Sequence, residues 1–139
     1  MKTSEKIKKL RLLCDQLWSK AVRTRDGECI LCGNKNGLAA HHWVHSRAQG
    51  NKHRWEVRNG VTLCYACHIH KVHKHASAEI IDELKEMAFD RGILTPAEYD
   101  AIKFDHTIFK MGLDDMEKVR DYLTAYLEQL NQYKIGGTD

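Results

Sequence analysis

Two thiol pairs and a group of imidazoles share one segment of this chain. Cys29-Ile30-Leu31-Cys32 and Cys64-Tyr65-Ala66-Cys67 bracket His41-His42 and Asn59, and His68 follows the second pair directly. Zinc takes four thiolate or imidazole ligands in a tetrahedron, and each CxxC turn offers two sulfurs from one tight knuckle. Two knuckles close such a site and leave no open coordination position, so this zinc is expected to be structural. The 31 residues between Cys32 and Cys64 exceed the roughly 15 to 20 of a compact zinc ribbon. The intervening segment is therefore expected to do more than reach the metal. Hydrolysing a phosphodiester needs an in-line water, a base to deprotonate it and a cation on the phosphoryl and leaving oxygens. One imidazole as base and others holding a hard divalent ion meet that need.

The order His-His, Asn, His, with the last directly after a second CxxC, resembles the HNH endonucleases of the ββα-metal (His-Me finger) superfamily, in their four-cysteine zinc form. The likeness covers about residues 27–76. It implies that His42 is the general base that activates water and that His41 is the first ligand of a catalytic ion, where many relatives have Asp. It makes His68 the second ligand, on the first turn of the motif helix, and Asn59 the residue that holds the loop and orients the base. Arg47 is similar in placement to the family's phosphate-binding arginine. Where some relatives carry a further histidine one helical turn on, this chain has Val72, which leaves His73, with His70 nearby, as the candidate third ligand. Water or phosphate oxygens can fill the shell instead, as they commonly do for Mg²⁺. The implied cofactors are a structural Zn²⁺ and a catalytic Mg²⁺, Mn²⁺ or other divalent ion. The implied activity is DNA cleavage leaving 5′-phosphate and 3′-hydroxyl ends. The stretch from Arg54 to Cys64 more narrowly resembles phage-encoded proteins of the lambda recombination-nuclease (Rap-type) branch, hence a role in DNA recombination, repair or packaging. Neighbouring side chains on a regular strand point to opposite faces, so His41 and His42 serve one site only if the strand bends or ends there.

The elements that must position these residues are legible in part. Apolar residues recur every three to four positions at Ile7, Leu10, Leu13, Cys14, Leu17, Trp18, Ala21 and Val22, which predicts an amphipathic helix from about Ser4 to Arg25, stopped by Asp26-Gly27. Cys14 lies on the apolar stripe and is left out of the metal count. The runs Leu38–Val44 and Val61–Leu63 predict a β-hairpin. Its long polar loop carries Arg47, Lys52, His53, Arg54 and Arg58, and these basic residues, with Lys71 and Lys74, are the candidate DNA contacts. Trp43 and Trp55 are expected to pack the hairpin's core rather than stack on bases, and His45, His53 and His75 to be solvated or to touch phosphate. Ile80, Ile81, Leu84, Met87 and Ala88 mark a second helix ending at Gly92, and Thr95-Pro96-Ala97-Glu98 opens a third. A last helix opens at Asp114 with the stripe Met116, Val119, Leu123, Tyr126, Leu127 and Leu130. The fold expected is α+β: a zinc-stapled ββα-metal core with its N-terminal helix over residues 1–92, and a C-terminal set of acidic helices over 93–139, packed on it.

Charge divides along the same line. Residues 1–76 hold 15 Lys and Arg against 5 Asp and Glu, whereas 77–139 hold 7 against 14. A basic half beside the motif suits capture of a polyanion, duplex or branched DNA, although the run Lys2, Lys6, Lys8, Lys9 and Arg11 also reads as a solvated helix face. There is no apolar run near the roughly 20 residues that cross a bilayer and no signal-like start, so a cytoplasmic protein with no membrane partner is expected. In a reducing compartment the five cysteines favour metal ligation over disulfides. The acidic helices suit a protein partner, and Tyr122, Tyr126 and Tyr133 near the apolar stripe of the last helix mark either a homodimer interface or part of the core. The competing function is a non-catalytic zinc module that binds nucleic acid.

Overall fold

The first 26 residues wind into helix α1 (Thr3–Asp26), whose apolar stripe buries Cys14, Trp18, Ala21 and Val22. The structure is a computed structural model and describes residues 1–47, 52–73 and 77–136, with no side chain described for His73 or for 134–136. Gly27 stops the helix at φ 73°, its N–H donating to the Arg23 carbonyl, a left-handed cap that glycine adopts without a Cβ clash. The last turn of α1 then clamps the sheet. Arg25 donates to the carbonyls of Val57 (2.7 Å) and Gly60 (2.6 Å), and Asp26 accepts from the Thr62 N–H at 2.9 Å.

Strands β1 (Leu38–His42) and β2 (Gly60–Cys64) pair antiparallel, Leu38 opposite Cys64 and His42 opposite Gly60. β1 ends at His42, two residues before the expected Val44. β2 is buried along its whole length. A 3₁₀ turn (Val57–Asn59) leads into it and a π-helical segment (Cys67–His73) follows it. Helices α2 (Ala78–Asp90), α3 (Pro96–Lys103) and α4 (Leu113–Gly136) complete the chain, giving a mixed α+β structure around one two-stranded sheet. Thr95 and Glu98 form the expected capping box at the start of α3, and Glu98 also holds Arg58 in an ion pair.

Two apolar cores lie against the sheet. One joins Cys29, Ile30, Val61, Leu63, Cys64, Cys67, Val72 and Leu84 to Ile93, Leu94, Tyr99 and Ile102. The other joins Cys14, Trp18, Ala21 and Val22 of α1 to Trp55, Val57 and, from α4, Met116, Leu123 and Leu127. Packing therefore crosses the expected division after residue 92 twice: α3 shares the core of β2 and α2, and α4 shares that of α1. Met116 and Leu123 are fully buried, and at roughly 1.5–3 kcal/mol for each such side chain the α1–α4 joint is a major part of the fold. Along α4, Tyr126 packs on this core while Tyr122 and Tyr133 are exposed. Ile81, expected on the inner face of α2, is exposed as well. No helix among the described residues is long and apolar enough to cross a membrane.

Candidate functional site

The cysteines come together first. Cys29 and Cys32 sit on the turn after α1, where Cys29 N–H donates to the Asn34 carbonyl, Gly33 N–H (φ 79°) donates to the Cys29 carbonyl, and Ile30 N–H donates to Thr62 of β2. Cys64 closes β2 and Cys67 opens the π-helical segment. All four sulfurs lie within 4.8 Å of one another, and Cys32 and Cys64 are 3.6 Å apart. That exceeds a disulfide bond of roughly 2.05 Å and fits two sulfurs each roughly 2.3 Å from one tetrahedral ion. The Cys67 backbone N–H bonded to Cys64 lowers the pKa of that thiol, whereas burial raises that of Cys67. The four cysteines thus form a cluster able to hold a structural metal such as zinc. Cys14 stands apart, fully buried, its thiol pushed up to about 11 by burial.

Asn59 is the hub of the loop that β1 enters. It is fully buried. Its Oδ1 accepts from Val44 N (3.1 Å) and His45 N (2.8 Å), and its Nδ2 donates to the carbonyls of His45 (2.8 Å) and His53 (3.0 Å). Two acceptor and two donor positions are all that an amide side chain offers. The side chain thereby fixes both ends of the loop at once.

His42 and His41 part at the end of β1, as alternation along a strand requires. The His42 ring is half-buried and stacks on Trp18 of α1. Its Nε2 lies 2.7 Å from the Arg54 carbonyl; a carbonyl only accepts, so Nε2 carries the proton and Nδ1 the lone pair of the neutral ring. Burial, ahead of all other influences, lowers its pKa below the ordinary 6.5. The neutral, basic form therefore prevails at pH 7. His41 meets His68 edge to face, with ring centroids 4.9 Å apart and planes at 63°, a separation that bonds of roughly 2.0–2.1 Å to one ion allow. Val72, four residues after His68 on the π-helical segment, packs into the core. The side chain of His73 lies outside the described residues. Among the described residues the four cysteines are the only cluster of three or more metal donors.

The basic residues divide into two kinds. Arg47 is exposed, with Asp15 at 3.6 Å, and Lys71 is exposed on the π-helical segment. Arg54, in contrast, is held by both oxygens of Asp15 at 3.1 and 2.7 Å. Arg58 is paired with Glu56 and Glu98, and Lys52 lies 2.7 Å from Asp105. These three residues stitch the loop to α1, α3 and the segment after it. Lys74 and His75 lie outside the described residues. His45 and His53 are not solvated as expected: His45 is buried and donates to the Asp105 carbonyl, and His53 donates to its carboxylate at 2.9 Å. Trp55 is buried in the second core and donates to Asp15, and Trp43 packs on Tyr99.

Asp15 and Trp18 belong to the site, and their sequence context does not mark them. On α1 they read as one polar and one apolar helix position, and their partners lie 24 to 40 residues on. No protein-family model matches the chain, and no curated protein or solved structure shows a significant match to it.

Proposed function

We propose that this protein is a divalent-metal-dependent DNA endonuclease of the HNH type, suited to phage-type recombination, repair or packaging of DNA. The observation that carries this reading is the placement of His42, whose Nε2 lies 2.7 Å from the Arg54 carbonyl and so leaves Nδ1 as the ring's proton acceptor. In the proposed reaction His42 Nδ1 takes a proton from water as that water attacks the phosphorus, the P–O3′ bond breaks, and the departing 3′ oxygen takes up a proton from solvent water. Asn59 keeps the loop, and with it the Arg54 carbonyl that orients His42, in place. Arg47, exposed beside Asp15, contacts the phosphate. A Mg²⁺ or Mn²⁺ ion held by His41 and His68 would supply charge neutralisation at the phosphoryl and leaving oxygens. Zinc on Cys29, Cys32, Cys64 and Cys67 would fix the strand ends that carry these groups.

Two observations favour a second reading, a zinc module that binds nucleic acid without cutting it: His42 and His41 part at the end of β1, toward Trp18 and His68, and the histidines alone do not assemble three metal donors among the described residues. Nicking of supercoiled plasmid by wild type and His42→Ala, in Mg²⁺ or Mn²⁺ and with circular dichroism on both, separates the two. Loss of a general base costs about 10²–10⁴-fold, so a folded His42→Ala with undiminished nicking sinks the assignment of the base. A wild type that binds DNA and never nicks it favours the binding module.

A further inference from the structure

Between α1 and the loop lies a cleft of about 390 Å³ whose lining includes Ser4, Ile7, Lys8, Arg11, Asp15 and Arg54. We infer that this cleft binds a backbone phosphate of the nucleic-acid strand, a few nucleotides from the bond cut at His42; the inference rests on the proposed nuclease reading for what lies at His42, and on the cleft's own chemistry for the phosphate.

Arg11 Nε is buried and, among the described residues, is the only buried side-chain nitrogen or oxygen without a hydrogen-bond partner. A buried guanidinium N–H is costly to leave unpaired, so a water or an anion is expected to reach it. The lining supplies three cations against one carboxylate, and that carboxylate, Asp15, is already bonded to Arg54 and Trp55. What remains is a surplus of positive charge on a recess of ligand-binding size.

Arg54 joins the cleft to the site: it is one of the lining residues, and its carbonyl receives the His42 Nε2–H. Lys8, Arg11, Asp15 and Trp18 follow one another at three- and four-residue steps, hence along one face of α1, and Trp18 carries His42. Seven residues from Arg11 to Trp18 are roughly 10 Å of helix rise, a span of no more than a few nucleotides of one strand. A strand with one phosphate at His42 therefore has another within reach of Arg11. The same guanidinium would attract an acidic peptide, but only a nucleic-acid strand joins the cleft to His42 in one ligand.

The test is the affinity of wild type, Arg11→Gln, Lys8→Gln and Lys20→Gln for a labelled DNA duplex without added divalent ion, across a series of NaCl concentrations. Lys20 is an exposed lysine of the same helix outside the cleft. Arg11→Gln is expected to bind about tenfold more weakly with a salt slope smaller by about one, Lys8→Gln to move the same way, and Lys20→Gln to stay near wild type. In plasmid nicking, Arg11→Gln should raise KM and leave kcat within about twofold. Affinity and slope unchanged in Arg11→Gln overturn the cleft, whatever the nicking result. If wild type never nicks while Arg11→Gln still loses affinity and slope, the cleft stands and the nuclease reading fails. Should Arg11→Gln not fold, Lys8→Gln decides alone, and wild-type affinity and slope in it overturn the cleft.

Discussion

The imidazole of His42 lies flat on the indole of Trp18, ring centroids 3.9 Å apart and planes 9° from parallel. The indole is itself pinned, its Nε1 donating to the Glu56 carbonyl at 2.8 Å. Helix α1 is thus a platform for the proposed base, and His42 is held from below by stacking and at one edge by the Arg54 carbonyl. Trp18→Leu keeps an apolar side chain and removes the flat support. Plasmid nicking should fall by on the order of 10²-fold, the scale of a small misplacement of a catalytic group, with zinc content unchanged. Full activity in the variant would show that the platform is dispensable.

Gly60 lies opposite His42 across the sheet and permits this stacking. A Cβ there would stand 2.6 Å from both Trp18 Cζ2 and Val22 Cγ2. Gly60→Ala is therefore expected to cost about 1–3 kcal/mol as an overpacked position, measured by urea unfolding, and to lower nicking with it by displacing the indole. Wild-type stability would mean that α1 can draw back without cost.

Asn59 cannot be replaced by its nearest isostere. Asn59→Asp keeps both acceptor bonds but turns the donating amide into an oxygen that faces the carbonyls of His45 and His53. The loss should be about 3 kcal/mol or more, because a charge is then buried against two acceptors. Urea unfolding at pH 7 checks it, and a variant within about 1 kcal/mol of wild type, the size of one ordinary hydrogen bond, would contradict the hub.

Removal of the proposed zinc should unfold far more than the knuckle. Cys29, Cys64 and Cys67 belong to the core that also holds Leu84, Ile93 and Tyr99. Structural zinc contributes on the order of 10 kcal/mol, comparable to the whole stability of a domain. One zinc per chain by elemental analysis, and loss of cooperative melting after chelation or in Cys64→Ser, are the expected results. A metal-free chain that melts like the loaded one would show that the cysteines are not a structural site.

Acid should loosen the loop through Asp105. Lys52 first, then Thr107 and His53, hold its carboxyl well below the usual 3.8. A carboxylate depressed by folding stabilises above its unfolded pKa, and that contribution fades as pH falls below about 4. Asp105→Asn should therefore lower Tm relative to wild type at pH 7, with the gap closing as the pH is taken below about 4. A gap that is constant with pH would mean that the charge plays no part.

The cysteine cluster is legible in the sequence because ligand spacing is local: each knuckle places two donors three residues apart. Asn59 follows from the motif resemblance, and α3 from a capping box confined to four residues. Helix α1 is legible as an amphipathic stripe, but what the stripe covers is not. Trp18 under His42 and Asp15 against Arg54 and Trp55 depend on partners distant in the chain, which no local periodicity encodes. The internal use of Arg54 and Arg58 is hidden for the same reason: a basic loop reads as free charge until its carboxylates arrive from α1 and α3. The π winding after Cys67 has no residue signature.

The sharing of one core by α1 and α4 has a temporal side. During synthesis the cysteine knuckles, the hairpin and both paired histidines leave the ribosome long before Met116, Leu123 and Leu127 exist. Until those side chains arrive, α1 lacks the partner that seats Trp18, and Trp18 seats His42. The nascent chain can therefore gather its four cysteines early, yet Trp18 and the His42 ring stacked on it lack their full packing until Leu127 is made.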